Sequence, residues 1–251
     1  MLLDAPVPWK YWLDAALSFF YPEACQFCGE ERATVVEGFI GADCRQNVKY
    51  IEAPFCARCG LPFQGEITTS FECSNCREMK LHFSSARSAV AAQGMMLELI
   101  HRYKYQRAVW LEPFLAELLV RRAAPVLQAE KWDMIVPVPL HPLKRKEREF
   151  NQAERLARAI GIASQVPVRP NLLCRVQQTR TQTQLSRPQR AANVSRAFAC
   201  KNDSAALKGR RVVLVDDVLT TGATTSACAK VLRSHGASEV CVWTLARGLL
   251  R

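Results

Sequence analysis

Histidine is scarce in this 251-residue chain: only four occur, and none precedes His82. Metal sites in the first third must therefore draw on thiolates and carboxylates. A long uninterrupted apolar run is also missing. The opening 25 residues carry no cationic leader, and Asp4 and Asp14 interrupt them, which argues against export or membrane insertion. What remains is Trp9, Trp12, Leu13, Ala16, Leu17 and Phe20 at helical spacing, the pattern of one short amphipathic helix. A paired cysteine count is lacking too. Eleven cysteines, clustered in C-x-x-C pairs without a leader, disfavour a disulfide framework and favour reduced thiols, metal and a cytoplasmic compartment.

Acidic residues run short in one part of the chain only. Residues 81–251 hold 27 Lys and Arg against 12 Asp and Glu, whereas residues 1–80 hold seven against eleven. Seven of the eleven cysteines also precede residue 80. Two shifts at one place predict a cysteine-bearing module over 1–80 and a larger basic domain over 81–251.

Within the module, CARCG (Cys56, Cys59) and CSNCRE (Cys73, Cys76) form two pairs with thirteen residues between them. Such pairs suit tetrahedral zinc, because each knuckle turn delivers two thiolates and four close the shell. Gly60 follows the first pair, where these turns often need positive φ. Upstream the pattern is incomplete. Cys25 and Cys28 in CQFCGE are followed by Cys44 alone, with Gly41 three residues before it. Two readings stay open there: zinc on Cys25, Cys28 and Cys44 with an unusual fourth ligand, Asp43 or a more distant group, or a metal-free knuckle. Any zinc in the module is structural, since a closed shell leaves no position for water or substrate.

The basic domain alternates in pattern. Strands are predicted over 84–92, 132–139, 210–217 and 239–246, and helices over 95–105, 111–122, 150–160 and 222–236. This implies an α/β fold, a mainly parallel sheet flanked by helices, with ligands bound beyond the carboxyl ends of the strands. One such end is VVLVDDVLTTGATTS, residues 212–226. Its apolar start reads as a buried strand, and Asp216 and Asp217 fall where the chain is expected to leave the sheet. Thr220, Thr221, Gly222, Ala223 and Thr224 then turn into a helix whose free N–H groups cradle a phosphate. The two carboxylates, one loop away, suit vicinal hydroxyls. Phosphate at one end and a diol at the other describe a ribose 5-phosphate. Helix capping explains one polar residue here, but not the whole set.

This stretch resembles the PRPP-binding motif of type I phosphoribosyltransferases: an apolar strand, two acids, then T-T-G-x-T. Nearly the whole chain resembles the ComF/GntX type of phosphoribosyltransferase-like protein. The likeness rests on the cysteine ribbon, LIHRYKY (99–105), VPVPLHPLKRKEREFNQAERLA (136–157), RVQQTRTQTQLSRPQRAANVSRAF (175–198) and VWTLAR (242–247). Two positions depart from the family: GADC stands where a second C-x-x-C is usual, and Glu149 stands where R-G-F-N-Q has glycine. The resemblance implies a PRPP site with magnesium, in which the loop of Val138 and Pro139 borders the pyrophosphate. It implies a hood over 177–190, where Arg180, Arg187 and Arg190 meet pyrophosphate, although the last two could instead start the next helix. Asp216 and Asp217 would be the catalytic pair, holding the ribose hydroxyls while a nitrogen nucleophile displaces pyrophosphate. No residue selects an acceptor.

Charge supplies a second function class. Residues 141–196 hold twelve Lys and Arg against three acids. Lys144, Arg145, Lys146 and Arg148 would attract nucleic-acid phosphates, with Tyr103, Tyr105 and Phe150 to stack on bases. A solvated basic helix end explains any one of the four equally well. The resembled family is linked to DNA uptake in natural competence and to DNA as a nutrient, hence to single-stranded DNA and a partner helicase. PRPP is itself strongly anionic, so net charge does not separate the two. His141, the one histidine near the expected site, reads as structural.

Overall fold

The computed structural model describes residues 23–63, 65, 67, 69–177, 197–201 and 204–249. The expected N-terminal helix and the expected hood, with Arg180, Arg187 and Arg190, lie outside the described residues.

Two one-turn helices, α1 (Ala42–Gln46) and α2 (Ser74–Glu78), belong to the cysteine segments. Next come β1 (Ser85–Ala91), α3 (Gly94–Tyr105), α4 (Glu112–Glu130) and β2 (Met134–Pro137). Helices α5 (Pro142–Arg148) and α6 (Gln152–Ser164) precede the short strands β3 (Leu173–Arg175) and β4 (Phe198–Cys200). The chain ends on β5 (Arg211–Leu219), α7 (Ala223–Ser234) and β6 (Glu239–Arg247). Strands β1, β6, β5 and β2 lie side by side in that order, and every pairing is parallel.

The strands read as continuous apolar runs because both faces of the sheet are covered. Alternate residues enter different cores: Val213 and Val215 join α3, α4 and α6, whereas Val212 and Leu214 join α7, β3 and β4. The two cysteine segments divide the same way. Cys25, Ile40 and Cys44 pack into the first core, and Cys56, Cys59 and Cys76 into the second. The chain between them covers the free edge of β1, with the Ile51 N–H donating to Ala89 O at 3.0 Å.

Several expectations are corrected. β5 does not end at the aspartates; it stays paired with β6 through Leu219, with Asp216 opposite Thr244. Its other neighbour, β2, stops at Pro137 opposite Val215. The aspartates therefore sit on a strand with one open flank. Helix α4 runs past residue 122 through Pro125, and a left-handed Lys131 closes it. The basic run Lys144–Arg148 lies on helix α5; Pro142 suits its first turn, where no N–H is needed. The β3–β4 ribbon is antiparallel, and its three-residue strands are too short to show a period in sequence.

Candidate functional site

Because β2 stops early, a cleft of about 550 Å³ opens beside the end of β5. Its floor is the stretch from Asp216 to Thr225, so the predicted Thr220, Thr221, Gly222, Ala223 and Thr224 come together with both aspartates. Val138 and Pro139, leaving β2, form one wall. Asn151 fixes that wall by donating from Nδ2 to Val138 O at 3.1 Å while its Oδ1 accepts the Ala153 N–H at 3.1 Å. Gly222 caps α7 at φ 80, a conformation that glycine adopts without the Cβ clash of other residues. Thr221 Oγ1 accepts the Ala223 N–H at 3.4 Å, and the Thr225 hydroxyl donates to Gly222 O at 3.1 Å.

The acids are held in different ways. Asp217 Oδ1 meets Lys104 Nζ of α3 at 2.8 Å, both side chains being largely buried. Asp216 Oδ1 accepts the Asp217 N–H at 2.9 Å. Burial, and after it the neighbouring Asp217 charge, pushes the Asp216 carboxyl up to about 7, against the pull of Lys104 and Arg175. Facing the acids are Lys144 and Arg148 of α5 and Arg175 of β3. Burial, then the like charges of Arg148 and Arg175, lowers Lys144 below its ordinary value. Burial lowers Arg175 as well. Cations that disfavour one another in this way are stabilised by a shared anion. Gln152 adds a buried Nε2 with no hydrogen-bond partner among the described residues, while its Oε1 accepts from Arg148 Nη1 at 3.3 Å.

The basic run is split. Lys144 and Arg148 line the cleft, but Arg145 is exposed, 3.7 Å from Glu154, and Lys146 is exposed. Of the three aromatics expected to stack on bases, Tyr103 is 1% exposed, and its hydroxyl donates to Glu112 at 3.0 Å. Phe150 is buried against it, at 5.1 Å between centroids. Only Tyr105 of the three is exposed, 59% at the cleft rim, with the His101 ring and the Arg148 guanidinium each 4.8 Å from its ring centre. His141 is structural, as expected: its Nδ1 accepts the Leu143 N–H at 3.4 Å and caps α5. Glu149 takes φ 68, which explains why glycine suits this turn, and pairs with Arg107 at 2.6 Å.

Lys104, Arg175 and Gln152 went unnoticed as site residues. Each lies inside a segment that carries the family likeness, but nothing local marks it as facing the aspartates. Arg247 escaped notice for the same reason. Its side chain is enclosed at the end of β6 and donates to Cys59 O at 3.2 Å, Leu219 O at 2.8 Å and Thr220 O at 2.5 Å. One guanidinium thus ties the second cysteine segment to the start of the threonine loop.

Cys56, Cys59, Cys73 and Cys76 bring their sulfurs within 4.8 Å of one another. The Cys56–Cys76 and Cys59–Cys73 separations are 3.8 and 3.7 Å. A tetrahedron with metal–sulfur bonds of about 2.3 Å places its sulfurs about 3.8 Å apart, so the donor set fits zinc. Burial would raise the Cys56 thiol, but N–H groups of Cys59, Cys73 and Arg58 outweigh it and hold the group at about 7. The first segment gathers Cys25, Cys28 and Cys44 with Glu31, again within 4.8 Å. Asp43 is not part of that group; it contributes an N–H that donates to Glu31 Oε2 at 2.9 Å. No helix among the described residues is long and apolar enough to cross a membrane.

A pair of cysteine ribbons ahead of a parallel α/β domain, with an acidic-threonine motif in its cleft, defines the class: a phosphoribosyltransferase-type protein behind zinc ribbons. Residues 16–79 match the double zinc ribbon domain, and residues 153–249 match the phosphoribosyl transferase domain. Competence protein F of Haemophilus influenzae is 34% identical over 85% of this chain and 92% of its own. The DNA utilization protein YhgH of Salmonella typhimurium is 31% identical over 91% and 98%. Competence protein ComFC of Bacillus subtilis is 29% identical over 81% and 82%. The chain belongs to this ComF/ComFC/YhgH family.

Proposed function

We propose that the cleft binds PRPP and that the chain, a cytoplasmic protein with its module boundary near residue 80, uses it in DNA uptake or utilisation. One observation carries the reading: two adjacent carboxylates and a threonine loop at a helix start face Lys144, Arg148 and Arg175 across a single cleft. The names of the relatives support the setting. Asp216 and Asp217 accept hydrogen bonds from the ribose hydroxyls. Thr220, Thr221, Gly222, Ala223 and Thr224 hold the 5-phosphate. Val138 and Pro139 border the pyrophosphate, whose charge meets the three cations. Magnesium fits here, because carboxylate and phosphate oxygens are the hard donors it takes, and when bound it neutralises charge on the pyrophosphate.

In a transfer, the lone pair of a nitrogen nucleophile forms a bond to the anomeric carbon. The carbon–oxygen bond to pyrophosphate breaks, the oxygen keeps the electron pair, and the nitrogen loses its proton to solvent. The chain contributes positioning and electrostatic stabilisation of the departing anion. Titration calorimetry with PRPP and magnesium tests the binding. Heat is expected with the wild type and little with Asp216→Asn/Asp217→Asn; silence from the wild type ends the proposal.

The exposed Tyr105, with Arg148 over its ring and Arg145 and Lys146 nearby, supports a second reading. In it the chain is a non-catalytic accessory that binds single-stranded DNA beside a competence helicase, with PRPP as a regulatory ligand. Stacking on an aromatic platform flanked by cations is how single strands are held without sequence preference. Competition separates the readings. DNA displaced by PRPP shares the cleft; DNA that binds alongside PRPP occupies the α5 surface; salt-independent binding removes DNA from consideration.

A further inference from the structure

The two cysteine segments repeat one backbone. Each opens on an antiparallel bridge, Ala24 with Arg32 in the first and Phe55 with Pro62 in the second. In each, the first cysteine donates its N–H across the turn, Cys25 to Glu31 O at 2.7 Å and Cys56 to Leu61 O at 2.8 Å. A glycine of positive φ then bonds back to that cysteine: Gly29 at φ 77 and Gly60 at φ 65. Each segment closes on a one-turn helix. Cys73 caps α2 at φ −68, ψ 158, and Gly41 caps α1 at φ −72, ψ 168. Cys76 and Cys44 each follow three residues later. By these contacts Gly41 stands where Cys73 stands, and Glu31 stands where Leu61 stands.

The first segment therefore keeps the fold, with one more residue in its turn, and lacks one sulfur. The space of that sulfur is filled. A Cβ added at Gly41 would collide with the Glu31 carboxylate. That carboxylate accepts the N–H groups of Asp43 and Cys44 at 2.9 and 3.0 Å, which aims it at the knuckle. Its oxygen lies within 4.8 Å of the sulfurs of Cys25, Cys28 and Cys44.

We propose that Glu31 is the fourth ligand of a second zinc site, a shell of three thiolates and one carboxylate that replaces the thiolate Gly41 does not provide. Zinc accepts carboxylate oxygen alongside sulfur in tetrahedral sites. This site differs from the four-thiolate site chiefly in donor chemistry. Its harder carboxylate donor, with Cys28 exposed, makes it the first to yield metal to a chelator.

The test counts zinc in the full-length chain. Two zinc ions are expected in the wild type, one in Glu31→Ala, and two again in Glu31→Ala/Gly41→Cys. The backbone angles of Gly41 are open to any L residue, so the added cysteine needs no strained geometry. The double variant lacks the hydrogen bonds of Glu31 as fully as the single one. Recovery of the second zinc there, with the cap on α1 still missing, shows that the single variant had lost a donor and not the fold of the knuckle. Cobalt substitution gives a second readout: the wild type shows the charge-transfer absorption of seven thiolates, rising toward eight in the double variant. A single zinc in the wild type, unchanged chelator resistance in Glu31→Ala, or no recovery in the double variant overturns the assignment.

Discussion

The two cysteine segments share a backbone but serve opposite faces of the sheet. The second enters the core beneath α7, and through Arg247 it holds the carbonyls of Leu219 and Thr220, where the threonine loop begins. The first rests on the helical layer. Arg45 pairs with Glu117 of α4 at 2.6 Å, Arg102 of α3 donates to Gln26 O at 2.5 Å, and a Cβ at Gly38 would lie 2.7 Å from the Phe114 nitrogen. One small fold thus does two jobs. The second segment shapes the cleft floor directly, while the first steadies helices that stand beside it.

The largest expected effect comes from breaking the second site. Structural zinc contributes about 10–16 kcal/mol in isolated knuckles, comparable to the whole stability of a domain. Cys56→Ser/Cys76→Ser should lose its cooperative thermal transition together with PRPP binding. Equal loss of PRPP affinity in Cys25→Ser/Cys28→Ser would erase the distinction between the two segments. Arg247→Met should come next, at about 3 kcal/mol or more by denaturant unfolding, because several enclosed carbonyls lose a charged donor. Asp216→Asn/Asp217→Asn should weaken ribose 5-phosphate binding by about tenfold to a hundredfold, and should lower the melting temperature because the largely buried Lys104 loses its carboxylate partner.

The raised Asp216 gives a smaller effect with a defined sign. Between the ordinary carboxylate value and about 7, the folded state binds more protons than the unfolded chain, so stability falls as pH rises through that window. A ligand whose hydroxyls donate to Asp216 favours the ionised form. Ribose 5-phosphate affinity should therefore climb as pH passes through about 7, and Asp216→Asn should remove that climb. The phosphate titrates in both proteins, so the difference isolates the carboxyl. Glu117→Ala should do least: its partly exposed pair with Arg45 contributes about 0–1 kcal/mol, and PRPP binding should not change.

Much of the fold was legible because its signals are local. The apolar runs of β5 and β6, the helix after Gly222 and the C-x-x-C pairs each lie within a few residues, and the structure contains them. The threonine loop and both aspartates were legible as one motif, and they line one cleft. The length of β5 was misread because polar Asp216 and Asp217 look like a strand end, whereas the β6 ladder carries the strand on to Leu219. Tyr103 and Phe150 were misread because composition does not distinguish an aromatic that faces a groove from one packed under it. Asp43 was considered as a fourth ligand on proximity in sequence, yet the bend of the chain brings up Glu31 instead.

By itself the sequence determined the parallel α/β plan, the four-thiolate set and the threonine loop, since each depends on periodicity or spacing over one or two turns. Only the tertiary structure decided which cations face the aspartates, which side chain fills the gap at Gly41, and that Arg247 reaches Cys59 across 188 residues of chain. Those contacts are set by how the layers pack, and a residue type carries no record of the distant partner that packing will bring to it.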